Sequence, residues 1–311
     1  MTNYLISVAT LASVFAFATL SLNLQYGIAG LVNFGQITFV IIGAYSVGIA
    51  VAHGHPWWLG AAIAPLAGAT TGLVLAFVGR RLRQDYWALM TLAVAALLTV
   101  ILETTPRLAG GTNGVYGIPS PFGTWTFLAI LLALIAASIA VLERIRRSQY
   151  GRVLRALRED EAIVKSLGLD VARYEFAVMG IGGALASLSG IAYAVYITYI
   201  SPQSFSLTET FVLWIALIIG GAGNNYGAIA GIAILQAILA GILFLPGSGE
   251  VQAIIGVALE GVLLIAIMLF RPQGVIPEPR RKFLEPTHLD NAARRLRRLL
   301  GRDTDEIRTA A

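Results

Sequence analysis

The chemically richest stretch of the sequence is the charged segment 151–168, GRVLRALREDEAIVKSLG, which lies between long uncharged stretches. Read as a single helix, it carries one apolar stripe made of Val153, Leu154, Leu157, Val164 and Leu167. Arg, Glu, Asp and Lys cover the remaining surface, and Gly168 suits a left-handed helix stop. Such a helix cannot lie in lipid hydrocarbon. We expect it either to contact a partner protein or to lie solvated on the headgroups.

The charge balance of the wider segment 143–175 favours a protein contact. It holds 8 basic and 6 acidic side chains. A segment that only binds anionic lipid would be more one-sided. Mixed charge together with an apolar stripe therefore indicates a protein partner.

The sequence contains no catalytic constellation. It has no GxxxxGK[ST] phosphate loop, no HExxH, no GxSxG and no pair of carboxylates within one apolar stretch. It has no cysteine, which excludes thiolate chemistry and disulfides. His53 and His55 share one turn without a third ligand, so they make a poor metal site. We therefore predict no catalytic residue, no metal and no cofactor bound by this chain.

The composition indicates a membrane protein. Of 311 residues, 57% are hydrophobic and 13% are charged, and the first charged side chain is Arg80. Soluble domains carry about 25% charged residues. A removable signal peptide is not expected, because the N-terminus lacks a Lys/Arg-rich start.

The apolar stretches predict an all-α polytopic membrane protein with about 8–10 transmembrane helices. The predicted spans are 4–22, 37–52, 57–79, 86–103, 124–142, 176–198, 211–223, 227–245 and 251–270.

The positive charges predict how these spans are oriented. Of the 22 Lys and Arg residues, all but Arg107 lie in the segments 80–83, 144–173 and 271–308. This is the positive-inside pattern and not a nucleic-acid patch, so no nucleic-acid partner is expected. With these segments in the cytosol, the N-terminus is predicted to lie outside. The alternative is that residues 23–36 form a broken helix that enters the membrane part-way and alters this count.

Four polar residues in apolar surroundings are candidates for a solute path: Asn33, Gln36, Asn225 and Glu260. Segment 23–36, NLQYGIAGLVNFGQ, is interrupted by glycines, and such broken segments line paths in transporters. The alternative is close packing through small residues, as also expected for the face Gly182, Ala186 and Gly190. An ionisable residue within a span, such as Glu260, is by default a functional-site hypothesis, although a structural hydrogen bond is the alternative. Glu209 is predicted to be a solvated loop residue.

Two short triplets suggest an internal repeat. Residues 225–227, Asn-Tyr-Gly, resemble residues 33–35, Asn-Phe-Gly, and each triplet opens a predicted outward-running span. Transporters are commonly built from two similar halves.

Five stretches, in order, resemble the permease subunit of bacterial branched-chain amino acid ABC importers, of the LivM type in the LivH/LivM family. They are GLVNFGQITFVIIGAY (30–45), DYWALMTLA (85–93), GGTNGVYGIPSP (110–121), GRVLRALREDEAIVKSLGLDVARYE (151–175) and IIGGAGNNYGAIAG (218–231). DYWALMTL and GGTNG favour the LivM type over LivH. The likeness implies a type II importer-like fold, alternating access and a path at an interface between permeases.

The resemblance also implies partners and a contact. It implies two ABC ATP-binding subunits that use ATP and Mg²⁺, a second, LivH-type permease and a periplasmic substrate-binding protein. The loop signature EAA-x3-G begins at Glu161-Ala162, but Ile163 replaces the second Ala and Gly168 falls one place late. The residues then expected to couple to the ATPase are Gly151, Leu154, Arg155, Leu157, Arg158, Glu159, Glu161, Ala162 and Gly168.

The resulting expectation is a multi-pass permease of the bacterial inner membrane. Residues 1–275 form the transmembrane domain, with the cytosolic loop 143–175, and residues 276–311 form a basic cytosolic tail that could include an amphipathic helix. The alternative is a stand-alone channel or secondary carrier for a small polar solute such as urea or an amide. A carrier of this kind needs ionisable groups at the midplane, where the sequence offers Glu260 alone.

Overall fold

The computed structural model describes residues 2–244, 248–271 and 273–278, and most of these residues are helical. The helices in chain order are α1 (Thr2–Leu22), α2 (Gln36–Ala52), α3 (Trp57–Gly79), α4 (Gln84–Thr104), α5 (Pro106–Ala109), α6 (Thr124–Arg147), α7 (Gln149–Glu159), α8 (Glu161–Ser166), α9 (Val171–Ile197), α10 (Leu207–Gly220), α11 (Asn225–Ile242) and α12 (Gly249–Phe270). A π-helical turn, Asn23–Ile28, continues α1.

The prediction of an all-α polytopic fold is confirmed. Within the described ranges, 8 helices are long and apolar enough to cross a membrane, and α2 is a shorter apolar helix of 17 residues. Long uncharged runs of this kind form helices because lipid offers their backbone groups no other hydrogen-bond partner.

Helix α1 and helix α9 form the interior of the bundle. In the most apolar window of each, 72% of the residues are buried inside the protein, whereas the corresponding window of α12 has 0%. Helix α1 packs against α6, α9, α10 and α11, and α9 packs against α1, α2 and α3. Helix α12 is therefore a perimeter helix, in contact with α10 and α11 only along part of its surface.

The predicted small-residue face of α9 is confirmed as a site of close helix approach. A Cβ atom on Gly190 would lie 2.0 Å from the carbonyl oxygen of Val40 in α2. The neighbouring Gly183 lies outside the predicted face and approaches a different helix, since a Cβ atom there would lie 2.2 Å from the carbonyl oxygen of Gly68 in α3. Backbones can approach this closely because no side chain intervenes.

Hydrogen bonds establish which ends of the helices lie together. Tyr4, near the start of α1, donates its hydroxyl to the carbonyl of Ala240 near the end of α11, at 2.6 Å. Asn23, just after α1, bonds to Asn225 at the start of α11. The two helices are therefore antiparallel. The charged helices α7 and α8 lie at the end of the bundle where α1 finishes, and the positive-inside rule predicts that this end faces the cytosol.

The opposite end carries short, irregular connections. Two-residue strands β1 (Val115–Tyr116) and β2 (Tyr199–Ile200) pair in antiparallel fashion. Gly110, Gly111, Gly114 and Gly117 have positive φ angles, as expected from the turn-rich composition of loop 109–123.

Each Asn-containing triplet lies at the start of a helix, α2 or α11, that runs away from the end of the bundle where α7 lies. The positions that correspond between the two triplets differ from the prediction by one residue. The Asn33 side chain accepts from the backbone N–H of Gly35 at 2.9 Å. Asn224, and not Asn225, makes the equivalent bond, accepting from Tyr226 N–H at 3.0 Å. Asn33 therefore corresponds to Asn224, and the internal repeat stays a hypothesis.

The described residues up to Glu278 form one compact unit. After α12 the chain pairs with the end of α10, since Val275 N–H donates to Ile219 at 2.8 Å and Ile276 N–H to Gly220 at 3.0 Å. The predicted tail helix, ARRLRRLLGR at 293–302, lies outside the described residues.

Candidate functional site

The charged segment 151–168 is not a single helix, contrary to the prediction. Helix α7 ends at Glu159 and α8 begins at Glu161, with Asp160 in an extended conformation between them. The Asp160 carboxylate accepts from the backbone N–H groups of Ala162 and Ile163, at 2.7 Å and 3.3 Å. A short acidic side chain favours this N-cap geometry over a helix interior. The predicted left-handed stop at Gly168 is confirmed, with φ at 75°.

The apolar face of α7 packs against its own chain. Leu154 is fully buried and Leu157 is 8% exposed. Gly151 is also buried, and a Cβ atom there would lie 2.4 Å from the carbonyl oxygen of Ile145. Leu157 forms a small core with Val164 of α8. Most of the predicted apolar stripe therefore anchors the hairpin and is not free to contact a partner.

Arg158 connects α7 to two distant segments. Its guanidinium donates to the carbonyl of Gly27 in the π-helical turn and to the carboxylate of Glu278 at 2.8 Å. Gly30, with φ at 79°, lies so close that a Cβ atom there would be 2.9 Å from Arg158 Cα. Arg155 donates to the carbonyl of Arg146 at 2.9 Å. Both arginines are partly buried and hold α7 against the bundle.

The outward surface of the hairpin is formed by α8. Ile163 is 57% exposed and Leu167 is 71% exposed. Glu161 and Lys165 form an exposed ion pair at 2.5 Å, and the hydrogen bond to Glu161 raises the pKa of Lys165. Of the other residues expected to couple, Glu159, Ala162 and Gly168 are exposed. The exposure of Leu167 agrees with the prediction that the apolar stripe is available to a partner, whereas Ile163 was not predicted to belong to that stripe.

Asn33 and Gln36 lie together in the protein interior, and both are fully buried. Asn33 donates to the side-chain oxygens of Gln25 at 2.7 Å and Gln36 at 3.0 Å. Gln36 in turn donates to the carbonyl of Ala18 in α1, at 3.1 Å. These bonds satisfy the polar groups of the broken segment that follows α1.

Asn225 belongs to a second buried junction. It accepts from the side-chain amide of Asn23 at 2.9 Å. The oxygen of Asn23 accepts from the backbone N–H of Gly223 at 2.8 Å. The amide nitrogen of Asn225 has no hydrogen-bond partner in the described structure. Asn225 thus joins the end of α1 to the start of α11.

Glu260 is separate from these three residues. It lies in the middle of α12 and lines a cavity of about 580 Å³ between α1, α9, α11 and α12. The cavity is also lined by Tyr4, Ser7 and Gln236. These positions lie in the half of the bundle farther from α7.

Glu209 is not a solvated loop residue, contrary to the prediction. It lies in the first turn of α10 and is partly buried. Its carboxyl is close enough to that of Glu260 for the two groups to interact electrostatically. The prediction failed because α10 begins at Leu207, before the predicted span start at 211.

Residues 4–270 match the family described as branched-chain amino acid transport system / permease component. The high-affinity branched-chain amino acid transport system permease protein LivM of Escherichia coli K12 is 29% identical over 308 residues, covering 88% of this chain and 70% of the relative. The probable branched-chain amino acid transport permease protein LivM of Methanocaldococcus jannaschii is 26% identical over 313 residues, covering 84% and 89%. The LivH permease protein of E. coli K12 is 26% identical over 297 residues, covering 87% and 93%. No solved structure matches the chain significantly.

The family match agrees with the fold and confirms the resemblance seen in the five sequence stretches. A bundle of apolar helices with a charged hairpin at one end fits a multi-pass protein of the bacterial inner membrane. The family is a transport component and not an enzyme, which supports a system subunit over a stand-alone carrier. The chain belongs to the branched-chain amino acid transport system permease family.

Proposed function

We propose that this chain moves branched-chain amino acids across the inner membrane as one permease subunit of an ATP-driven ABC importer. The substrate proposal rests on the names of the relatives LivM and LivH, which are described as branched-chain amino acid permeases. The chain itself binds no cofactor in this proposal. Two ABC ATP-binding subunits use ATP and Mg²⁺, a second, LivH-type permease completes the membrane part, and a periplasmic protein delivers the substrate.

The observation that carries the proposed coupling is the exposed surface of α8. Ile163 and Leu167 present apolar side chains beside the Glu161–Lys165 ion pair, at the end of the bundle that is predicted to face the cytosol. Large apolar side chains that protrude from a charged segment are typical of a protein contact. We therefore assign the ATPase contact to α8, with Glu159, Glu161, Ala162 and Gly168 at its edge.

Helix α7 has a different role in this proposal, which is to transmit the movement of α8. Gly151, Leu154 and Leu157 pack it on the bundle, and Arg158 connects it to the end of α1. When ATP closes the ATPase pair, the hairpin moves with it and shifts the bundle between outward-open and inward-open states. ATP drives this change because the closed ATPase pair binds one state more tightly than the other.

The test is to substitute Ile163 of α8 and Leu167, the residue after α8, in the complete transporter. Ile163→Asp with Leu167→Asp should abolish co-purification of the ATPase subunits and ATP-dependent leucine uptake, while the thermal stability of the permease changes little. Leu82→Asp is the matched control, because Leu82 is an apolar residue, 42% exposed, at the same end of the bundle but outside the hairpin. Full ATPase recovery with the double variant would contradict the docking assignment.

A further inference from the structure

The cavity beside α12 combines apolar walls with polar groups that lack partners. Val8, Leu11, Leu239 and Val257 are among the residues that form the walls. Its volume of about 580 Å³ falls within the range of about 300–1,000 Å³ that is usual for small-molecule sites. The cavity is lined by the first turns of α1, the last turns of α9 and α11 and the first half of α12, so it lies in the outer half of the bundle.

Glu260 is the acid of this cavity. It lies about 16 Å along α12 from Gly249, which is close to the middle of a membrane-spanning helix. Within the described residues it forms no hydrogen bond or ion pair. The residues that line the cavity include no Lys, Arg or His. The carboxyl of Glu209, another acid, is close enough to interact electrostatically with Glu260. A carboxylate in this position lacks a cation that the described chain could provide.

Gln236 is an independent second feature that points into the same cavity. It lies on α11 and is 8% exposed, yet its side-chain amide forms no hydrogen bond within the described structure. The Gln236 side chain lines the cavity, so its amide is free to hydrogen-bond a group that enters there. A bound solute with hydrogen-bonding groups would satisfy it.

We propose that this cavity is a binding site for the transported amino acid in the outward-open state. Glu260 binds the ammonium group, Gln236 hydrogen-bonds the carboxylate, and the apolar walls around Leu11, Leu239 and Val257 contact the branched side chain. This inference rests on the proposed function for its ligand. The chemistry of the cavity supports that ligand, because an ammonium group with an apolar body matches one unpaired acid, one unpaired amide and apolar walls.

The first test measures transport in proteoliposomes that contain the complete transporter and its binding protein. Glu260→Gln and Gln236→Leu should each lower maximal ATP-dependent leucine uptake by about tenfold, with ATPase recovery unchanged. Glu250→Gln is the matched control, because Glu250 is an exposed acid in the first turn of the same helix. It should leave uptake within about twofold, as is usual for surface substitutions.

The second test detects ligand in the cavity directly and uses the absence of cysteine from the chain. Ser7→Cys places one thiol in the cavity lining, and Ile265→Cys places one on an exposed part of α12 outside the lining. Leucine and 3-methylbutylamine, which keeps the ammonium group, should slow maleimide labelling at position 7. The deaminated analogue 4-methylpentanoate should not. Labelling at position 265 should not respond, and Glu260→Gln should abolish the protection at position 7.

The outcomes separate the cavity proposal from the proposed function. If the wild-type transporter shows no ATP-dependent leucine uptake, the proposed function fails, while protection by 3-methylbutylamine still tests the cavity. If uptake is normal but Glu260→Gln transports at the wild-type rate, the cavity proposal alone is wrong. Slow labelling at position 7 that no solute changes would mean that lipid or the second permease fills the cavity, and this result would also overturn the proposal.

Discussion

Arg158 and Glu278 form an ion pair at 2.8 Å although they are 120 positions apart in the chain. The same guanidinium donates to the carbonyl of Gly27 in the π-helical turn after α1. One side chain thus connects the charged hairpin, the central helix α1 and the segment that follows α12. If α7 moves as the proposed function requires, this contact links it to the end of α1 and to the segment after α12.

Replacing Arg158 with Ala should destabilise the protein and weaken coupling together. The Arg158 side chain is about three-quarters buried, and its hydrogen bonds would be lost. We therefore expect the free energy of unfolding to fall by about 1.5–3 kcal/mol. Glu278→Gln should have a smaller effect in the same direction. Thermal melting in detergent and the ratio of uptake to ATP hydrolysis provide the measurements. Arg152→Ala, on the exposed side of α7, serves as control, and a similar loss in that variant would argue against a special role for Arg158.

Replacing Asn33 with Ala should lower stability without changing which solutes are transported. The substitution leaves the side-chain oxygens of Gln25 and Gln36 without a buried donor, at a cost of about 1–3 kcal/mol. Thermal melting measures the stability. Competition of other amino acids with the uptake of labelled leucine measures which solutes are transported. Asn113→Ala in an exposed outer turn is the control. A changed solute preference in a stable Asn33→Ala protein would instead support the original path hypothesis.

Replacing Gly190 with Ala should destabilise the contact between α9 and α2. The new Cβ would lie 2.0 Å from the carbonyl oxygen of Val40, so one backbone must move, and overpacking of this kind costs about 1–3 kcal/mol. Gly261→Ala is the matched control in α12, where a Cβ meets no atom within 4 Å. Melting temperatures should fall for the first variant and stay level or rise for the second. Equal stability of the two would mean that the helices do not approach as closely as described.

Replacing Asp160 with Ala should remove the cap of α8 and impair coupling. The loss of an N-cap side chain costs about 1 kcal/mol, and the break between α7 and α8 would no longer be favoured. Asp160→Asn should restore function, because Asn caps about as well. Asp170→Ala is the control, since Asp170 occupies the N-cap position of α9 without a capping hydrogen bond. ATPase recovery and ATP-dependent uptake are the readouts, and normal values for Asp160→Ala would show that the break is not required.

The transmembrane helices could be predicted closely, because long uncharged runs have few alternatives in lipid. Span boundaries such as 57–79 agree with α3 from Trp57 to Gly79. The predicted start of a span was wrong where polar residues form the first turn of the helix. Helix α10 begins four residues before the predicted span, and this places Glu209 inside the bundle.

The candidate sites could be predicted by residue type but not by environment. Asn33 and Glu260 are both polar residues in apolar surroundings, and the sequence predicts the same role for both. One of them is hydrogen-bonded inside the bundle and the other faces a cavity. Gln236 is not predictable as a site residue, since nothing in its local sequence separates it from other polar residues within spans.

The sequence alone determined that the chain is a helical membrane protein with a charged hairpin, since both properties follow from local composition and the cost of charge in lipid. Only the tertiary structure decided which face of that hairpin is free and which polar residues lack a partner. The physical reason is that exposure and hydrogen bonding depend on contacts between distant segments. Examples are Arg158 with Gly27 and Glu278, and Gln236 on α11 facing the same cavity as Glu260 on α12.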